Sequence, residues 1–264
     1  MKSLSLKGWI VRIVSAVSYV VMVGVNGLAN ALPLYGITTG EVSDAYFNLF
    51  APAGLTFAIW GVIYTLLAIL VVQSFRIYDM EPVLTRVLWA FSVSSWANTL
   101  WVIFWHQQAI VVTLGLILVV FISLWVAVMA LSASKSSPVT SRWIRLPLEV
   151  YVAWITVAVI ANTTTALVSV HFEGWGIDAA WWTMAVMSVG ALVAILSSKA
   201  LRSTAILAVF IWAYFGILLK HVSVNPGFNY AYPGIIVTAS AALAAFVFAW
   251  LSLYQQRFAS QIDK

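Results

Sequence analysis

The chain has 264 residues, of which 63% are hydrophobic and 8% are charged. Since soluble domains carry about 25% charged residues, this composition excludes a water-soluble enzyme and indicates a protein that lies mostly in lipid. The net charge of +5 does not indicate nucleic-acid binding, because the basic residues stand singly between apolar runs and form no patch with interleaved aromatic residues. The sequence contains no cysteine, which excludes disulfides and thiolate metal sites.

Eight long apolar runs follow one another along the chain. Each is about 20 residues long, the length that a helix needs to cross a bilayer. The runs are apolar on all sides and about twice as long as the strands of a membrane barrel. We therefore predict an all-α, polytopic transmembrane helical bundle. The predicted spans are 9–30, 54–75, 83–105, 109–131, 145–169, 178–197, 203–221 and 232–254.

Lysine and arginine are distributed unevenly over the loops that these spans define. Twelve of the thirteen lie at the termini or in loops on one side of the predicted bundle, and only Lys220 lies on the other side. Because basic residues concentrate on the cytoplasmic side of membrane proteins, both termini are predicted to be cytoplasmic. The expected location is the cytoplasmic (inner) membrane of a bacterium.

Several spans carry amide and aromatic side chains at helical spacing. Trp60 and Tyr64 are four residues apart, and Asn98 and Trp101 are three apart, so each pair lies on one helix face. The non-cytoplasmic half of the spans, directly below the loop 31–53, contains Asn30, Trp60, Asn98, Trp101 and Asn162. An aromatic pocket with a few amides and a polar lid is a common form of small-molecule site. The predicted lining residues are Asn30, Trp60, Tyr64, Asn98, Trp101, Trp154 and Asn162.

Other interpretations of the polar residues stay open at this point. Each asparagine could instead bond across helices and only hold the bundle together. Glu41 and Asp44 belong to the predicted lid loop, where a helix-capping or lid role is favoured over acid–base chemistry. No metal site is predicted, since sequence spacing gives no support for convergence of the three histidines near non-cytoplasmic helix ends, which are His106, His171 and His221.

Three motifs, in order on the second, third and fifth spans, resemble those of the translocator protein or tryptophan-rich sensory protein (TspO/MBR) family. They are Phe57-Ala58-Ile59-Trp60-Gly61-Val62-Ile63-Tyr64 after Pro52, then Asn98-x-x-Trp101, then Tyr151-Val152-Ala153-Trp154 followed by Asn162. The family patterns are Val-Trp-x-x-Leu-Tyr, Asn-x-x-Trp and Tyr-Leu-Ala-Trp. The family core has five helices, so the chain looks like a longer, eight-span branch. We expect a TspO-like five-helix core over 1–169 and three additional helices over 170–264.

The resemblance implies a function as well as a fold. Family members bind porphyrins and other flat apolar ligands, including sterols, in a pocket under the first loop. The chain is therefore expected to be a membrane binding or sensory protein for a planar hydrophobic ligand, with a bound porphyrin or haem as the implied molecule and no obligatory cofactor. The expected partners are membrane lipid and this ligand, without nucleic acid. The first loop departs from the family, because it carries Thr38-Thr39-Gly40-Glu41 in place of the usual Trp-Tyr and Lys-Pro.

Two other functions and one assembly are kept as alternatives. A transporter of a small amphipathic solute would suit eight spans, although the spans lack charged coupling residues and an inverted repeat. A light-dependent porphyrin-degrading enzyme is supported by the resemblance alone, because the sequence offers no general acid–base pair. The small residues of the sixth and eighth spans fit either packing around the core or the interface of a homodimer.

Overall fold

The computed structural model describes residues 6–32, 34–77, 82–134 and 141–262, with side chains described as far as residue 256. Nine α-helices lie in these ranges, and no strand occurs within them. The helices are α1 (Leu6–Ala31), α2 (Thr39–Asp44), α3 (Ile59–Arg76), α4 (Pro82–His106), α5 (Ile110–Ala133), α6 (Arg142–Ser169), α7 (Ala179–Leu201), α8 (Thr204–Val222) and α9 (Pro233–Ile262). All except the short α2 belong to segments long and apolar enough to cross a membrane. The predicted all-α fold with eight spans is confirmed.

The observed helix limits lie within a few residues of most predicted span limits. Pro82 and Pro233 begin α4 and α9, where proline is favoured because the first helical residue needs no amide hydrogen. The largest difference is at the end of α9, which continues to Ile262 instead of ending at 254. The polar residues that follow the apolar run contain no proline or glycine, so the helix continues beyond the apolar segment.

By its internal contacts the chain divides into two compact units. Unit 1 comprises Met1–Tyr46 and Ala58–Ala166, and unit 2 comprises Phe47–Phe57 and Leu167–Lys264. Unit 1 therefore contains α1 to α5 and most of α6, whereas unit 2 contains α7, α8 and α9. The short segment Phe47–Phe57, which lies between α2 and α3 in the chain, packs with the three C-terminal helices.

In unit 1 the central helix is α4, which packs most extensively against α5 and then against α1. Small polar side chains mark the contact between α1 and α4. The Ser15 hydroxyl lies 3.1 Å from the Leu88 carbonyl oxygen, to which it donates, and 3.0 Å from the Ser92 hydroxyl. Small residues let two helices approach closely in a membrane, and the hydroxyl groups satisfy one another where water is absent.

Arg12 is fully buried near the start of α1. Its guanidinium group donates a hydrogen bond to the carbonyl oxygen of Ile77, the residue that follows α3. Carbonyl groups at a helix C-terminus lack partners within the helix and carry partial negative charge, so a cation is favoured there. Arg12 thus ties the beginning of α1 to the end of α3.

In unit 2, α8 packs most extensively against α9, and α7 packs against both. Tyr214 of α8 lies at the centre of this arrangement and is fully buried. Its hydroxyl donates to the Met187 carbonyl oxygen of α7 at 2.6 Å. Its ring contacts Phe246 of α9, with ring centroids 5.1 Å apart. One tyrosine therefore links all three helices of the unit.

Candidate ligand site in unit 1

An aromatic cluster forms where α3 and α6 meet, with Trp60 at its centre. The Trp60 ring stacks on Tyr64 one turn later, with centroids 5.5 Å apart and an interplanar angle of 25°. Its edges contact Tyr151 at 6.1 Å and Trp154 at 6.2 Å, both in T-shaped geometry. Tyr151 and Trp154 are buried, whereas Trp60 and Tyr64 are half-buried. The cluster therefore has a packed base and an aromatic pair that is partly accessible. We define the four residues as the Trp60 cluster.

A buried amide pair lies beside this cluster. Asn98 of α4 has no exposed surface, and its Oδ1 accepts a hydrogen bond from Nδ2 of Asn26 on α1 at 2.9 Å. The Nδ2 atom of Asn98 lies beside the Tyr151 hydroxyl but makes no hydrogen bond of normal geometry with any described residue. Buried polar groups in proteins are nearly always paired, whereas the Asn98 NH₂ group, which carries two hydrogens and lies beside the Tyr151 hydroxyl, keeps at least one N–H free to donate.

A second unused donor lies one turn further along α4. The Trp101 side chain is only 7% exposed, and its Nε1 finds no acceptor in the described parts of the chain. Its ring stacks on Trp105, with centroids 5.1 Å apart and an interplanar angle of 20°. Since residues three apart lie on one helix face, Asn98 and Trp101 place two buried N–H donors on the same side of α4.

The predicted lid contains a short helix whose start is capped by its own side chains. The Thr38 backbone N–H donates to Glu41 Oε2 at 2.7 Å, and the Thr38 hydroxyl donates to the same oxygen at 2.8 Å. In return the Glu41 backbone N–H donates to the Thr38 hydroxyl oxygen at 3.3 Å. This is the reciprocal arrangement known as a capping box. The bonds from the Thr38 backbone N–H and then its hydroxyl lower the pKa of Glu41 below its ordinary value.

The lid helix α2 is attached to the end of α4. The indole Nε1 of Trp105 donates to the Thr39 carbonyl oxygen at 3.1 Å. The His106 Nδ1 atom donates to the Val102 carbonyl at 2.7 Å, which leaves Nε2 to accept from the Thr39 hydroxyl at 3.5 Å. A third link joins Gln107 Nε2 to the Tyr35 hydroxyl at 2.7 Å. The stacked pair of Trp101 and Trp105 thus extends from the unused donor to the lid.

A family model described as TSPO-like protein matches residues 12–253 of the chain. The chain belongs to this family. The match continues through α7, α8 and most of α9, so the three additional helices lie within the region that the family model matches. No curated protein and no solved structure matches significantly. Together with the eight apolar helices, membership makes the chain an integral membrane protein, and it indicates a binding or sensory role.

Not every predicted lining residue of this TSPO-like protein lies beside the Trp60 cluster. Asn30 has an exposed side chain whose Nδ2 donates to the Asn26 carbonyl of its own helix at 3.0 Å. Asn162 is buried, and its Nδ2 donates to the Thr113 hydroxyl on α5 at 3.1 Å. Asn162 therefore makes a hydrogen bond between two helices, as expected of an asparagine that holds the bundle together. The residue that reaches Asn98 from α1 is Asn26, one turn before Asn30.

The contacts that join the lid to α4 were not predicted from the sequence. Thr39, Trp105 and His106 join the lid to α4, although the sequence offered only an extra aromatic after the Asn-x-x-Trp motif as a signal. Asp44, the second predicted lid residue, ends α2 and is exposed.

The remaining histidines lie in unit 2, where His171 is exposed and His221 is buried. Among the described residues, no group of three His, Asp or Glu side chains is arranged to hold a metal ion.

Proposed function

We propose that this TSPO-like protein binds a planar, largely apolar ligand that carries a hydrogen-bond acceptor. A porphyrin is the first example of such a ligand, and a sterol-like lipid is the second. The observation that carries the proposal is the pair of buried, unused donors one turn apart on α4, Asn98 Nδ2 and Trp101 Nε1.

The energetic argument concerns what these two donors cost when no ligand is bound. A buried donor without a partner destabilises a protein by about 1–3 kcal/mol. A carbonyl or carboxylate oxygen that accepts from Asn98 or Trp101 would recover this free energy, whereas a pure hydrocarbon would not. The donors therefore favour ligands with oxygen acceptors over the acyl chains of the surrounding lipid.

The Trp60 cluster supports the planar, apolar part of the proposed ligand. Aromatic rings prefer offset-stacked or edge contacts with other rings, and the stacked pair of Trp60 and Tyr64 is half-buried. Tyr151 connects this pair to the amides, because its ring contacts Trp60 and its hydroxyl lies beside Asn98. A flat ligand stacked on the pair would bring polar substituents toward α4.

The proposed orientation in the membrane follows from the basic residues of unit 1. Those that the structure describes lie near the start of α1, at the end of α3 and near the starts of α4 and α6; they are Lys7, Arg12, Arg76, Arg86, Arg142 and Arg145. The lid helix follows the opposite end of α1 and contacts the opposite end of α4. By the positive-inside rule we place the lid on the non-cytoplasmic side of a bacterial inner membrane and both termini in the cytoplasm.

The direct test is a titration of the purified protein with protoporphyrin IX, followed by tryptophan quenching and by the porphyrin absorption band. We expect saturable binding that weakens roughly tenfold or more in Asn98→Leu, because the variant loses an N–H donor and cannot replace it. Trp60→Phe should reduce both affinity and quenching. Trp181→Phe is the matched control, because this tryptophan is 67% exposed on α7 in unit 2.

Two results would reject the proposal. One is quenching that rises linearly with porphyrin concentration, as partition into the detergent or lipid produces. The other is an affinity that is the same in Asn98→Leu, Trp60→Phe and Trp181→Phe. Competition by cholesterol or by a porphyrin lacking its carboxylates would separate the two ligand classes.

A further inference from the structure

The segment Phe47–Phe57 contains a deeply buried stretch of irregular backbone, which is followed by the start of a 3-10 helix (Gly54–Ala58). Leu49, Phe50 and Ala51 are each 3% exposed or less, although this stretch forms no regular helix. In a membrane protein, irregular backbone is tolerated only where protein groups satisfy its N–H and C=O groups. The partners of this segment are therefore informative.

Helix α8 supplies three of these partners. The indole Nε1 of Trp212 donates to the Thr56 carbonyl oxygen at 2.8 Å. The Ala53 backbone N–H donates to the Gly216 carbonyl oxygen at 3.0 Å. The Nε2 of His221 donates to the Leu49 carbonyl at 2.9 Å. Donors and acceptors at 212, 216 and 221 thus hold the segment near both of its ends.

Packing at Gly216 shows how closely the segment lies against α8. A Cβ atom added at Gly216 would lie 2.0 Å from the Thr56 hydroxyl oxygen, far inside van der Waals contact. Thr56 itself is buried. At the other end, Phe47 contacts Phe228 with ring centroids 5.9 Å apart, and Phe228 lies 4.7 Å from the His221 ring. Only a residue without a side chain fits at position 216.

The segment that α8 holds connects the lid to the Trp60 cluster along the chain. The lid helix α2 ends at Asp44, three residues before the segment begins, and Trp60 lies three residues after it ends. Whatever holds the segment therefore limits the freedom of the chain that leads into the lid on one side and into the Trp60 cluster on the other.

We propose that α8 is the positioning helix of the ligand site, in which Trp212, Gly216 and His221 hold segment 47–57 and so restrain the lid and Trp60. The inference rests on the proposed function for its ligand, and it gives α8, one of the three additional helices, a role in binding. These residues are positioning residues, since the proposal assigns them no contact with the ligand.

The first experiment uses introduced thiols, because the chain has no cysteine of its own. Ala51→Cys reports release of the segment, and Ser43→Cys, on the buried face of α2, reports opening of the lid. We expect Trp212→Phe to raise the maleimide labelling rate of both thiols by roughly fivefold, since one part-buried hydrogen bond to the segment is lost. The affinity for protoporphyrin IX should fall by a similar factor.

Tyr214→Phe is the matched control on the same helix. It also removes a buried side-chain donor to a backbone carbonyl, that of Met187, but that bond does not involve the segment. The control should lower the thermal stability while leaving both labelling rates and the porphyrin affinity at their starting values. A labelling rate that rises equally in both variants would mean general loosening of unit 2 and would overturn the proposal.

A steric pair gives a second test. Gly216→Ala should raise labelling at Ala51→Cys more than Trp212→Phe does, because the new methyl group and the Thr56 hydroxyl cannot occupy the same space. Thr56→Ala should restore much of the loss in the double variant. If Gly216→Ala changes neither labelling rate, α8 does not hold the segment.

The two proposals can fail separately. Absence of saturable porphyrin binding in the unmodified protein would reject the ligand but leave the labelling rates to decide the role of α8. Normal porphyrin affinity in variants whose Ala51→Cys and Ser43→Cys thiols label rapidly would reject the positioning role while leaving the ligand in place.

Discussion

Asn26 and Asn98 share a buried hydrogen bond that fixes the orientation of an amide. Nδ2 of Asn26 donates to Oδ1 of Asn98 at 2.9 Å and also to the Met22 carbonyl oxygen at 2.9 Å. With its oxygen occupied, Asn98 presents its NH₂ group beside Tyr151. The donor that we propose for the ligand on α4 is therefore oriented by a residue of α1.

Asn26→Ala should reduce ligand affinity without removing any proposed ligand contact. The Asn98 amide would lose the partner that orients it, so its donor would be in place for only part of the time. We expect protoporphyrin affinity to fall roughly threefold to tenfold, together with about 1 kcal/mol of stability. Ser15→Ala, which breaks another bond between α1 and α4, should cost stability alone. Equal affinity losses in the two variants would contradict this prediction.

Trp101→Phe and Trp105→Phe should have different effects on stability. The Trp101 Nε1 is buried without a partner in the described structure, so its removal should leave the ligand-free protein as stable as before or more stable, by up to about 1–3 kcal/mol. The Trp105 Nε1 donates to Thr39, so its loss should destabilise the protein. Thermal unfolding of both variants, with porphyrin affinity measured in parallel, checks this. Destabilisation of equal size in both would show that the Trp101 donor has a partner.

The capping box of α2 should weaken in acid. Because Thr38 lowers the pKa of Glu41 below 4.5, the ionised carboxylate stabilises the fold above that pH, and this contribution is lost as pH falls through the lowered pKa. NMR titration of Glu41 should give a midpoint below 4.5, and Thr38→Val should raise it, since the hydroxyl donor is lost while the backbone donor remains. A wild-type midpoint at or above the ordinary value would contradict the cap.

The spans and the stacked pair of Trp60 and Tyr64 could be predicted from the sequence because both depend on periodicity within single helices. A spacing of four residues places Tyr64 below Trp60 on any helix, whatever surrounds it. The partners of the asparagines could not be predicted in the same way. Spacing shows which face Asn162 occupies but not that Thr113 of α5 lies opposite that face. Likewise, Asn26 and Asn30 lie on the same face of α1 one turn apart, and spacing alone does not show that Asn26 bonds to Asn98 while Asn30 is exposed.

The loop contacts had even less signal in the sequence. The Thr-Thr-Gly-Glu block indicated a cap, and Glu41 does cap α2. Nothing in the sequence around Thr39, however, indicated that its carbonyl would accept from an indole sixty-six residues later. The contacts of segment 47–57 could not be predicted either, because its partners lie on α8, more than 150 residues further along the chain. Such contacts depend on the packing of the whole unit and not on local pattern.

The orientation of the bundle can be tested with two single cysteines. Ala45→Cys is exposed just after the lid helix, and Ala133→Cys is exposed at the end of α5 that lies on the basic side. In intact bacterial cells a membrane-impermeant maleimide should label the first and not the second, and both should react once the membrane is permeabilised. The reverse pattern would place the lid in the cytoplasm.

The fit between Gly216 and Thr56 also constrains how this protein can change over evolutionary time. A methyl group at 216 needs the space that the Thr56 side chain occupies. The two single substitutions therefore differ in cost: a shorter side chain at position 56 leaves only a small gap, whereas a larger side chain at position 216 causes a collision. Relatives that keep the same packing should therefore carry alanine or serine at 216 only where position 56 has already lost its hydroxyl and methyl groups. The packing therefore predicts an order of substitution in evolution: the change at position 56 precedes the change at position 216.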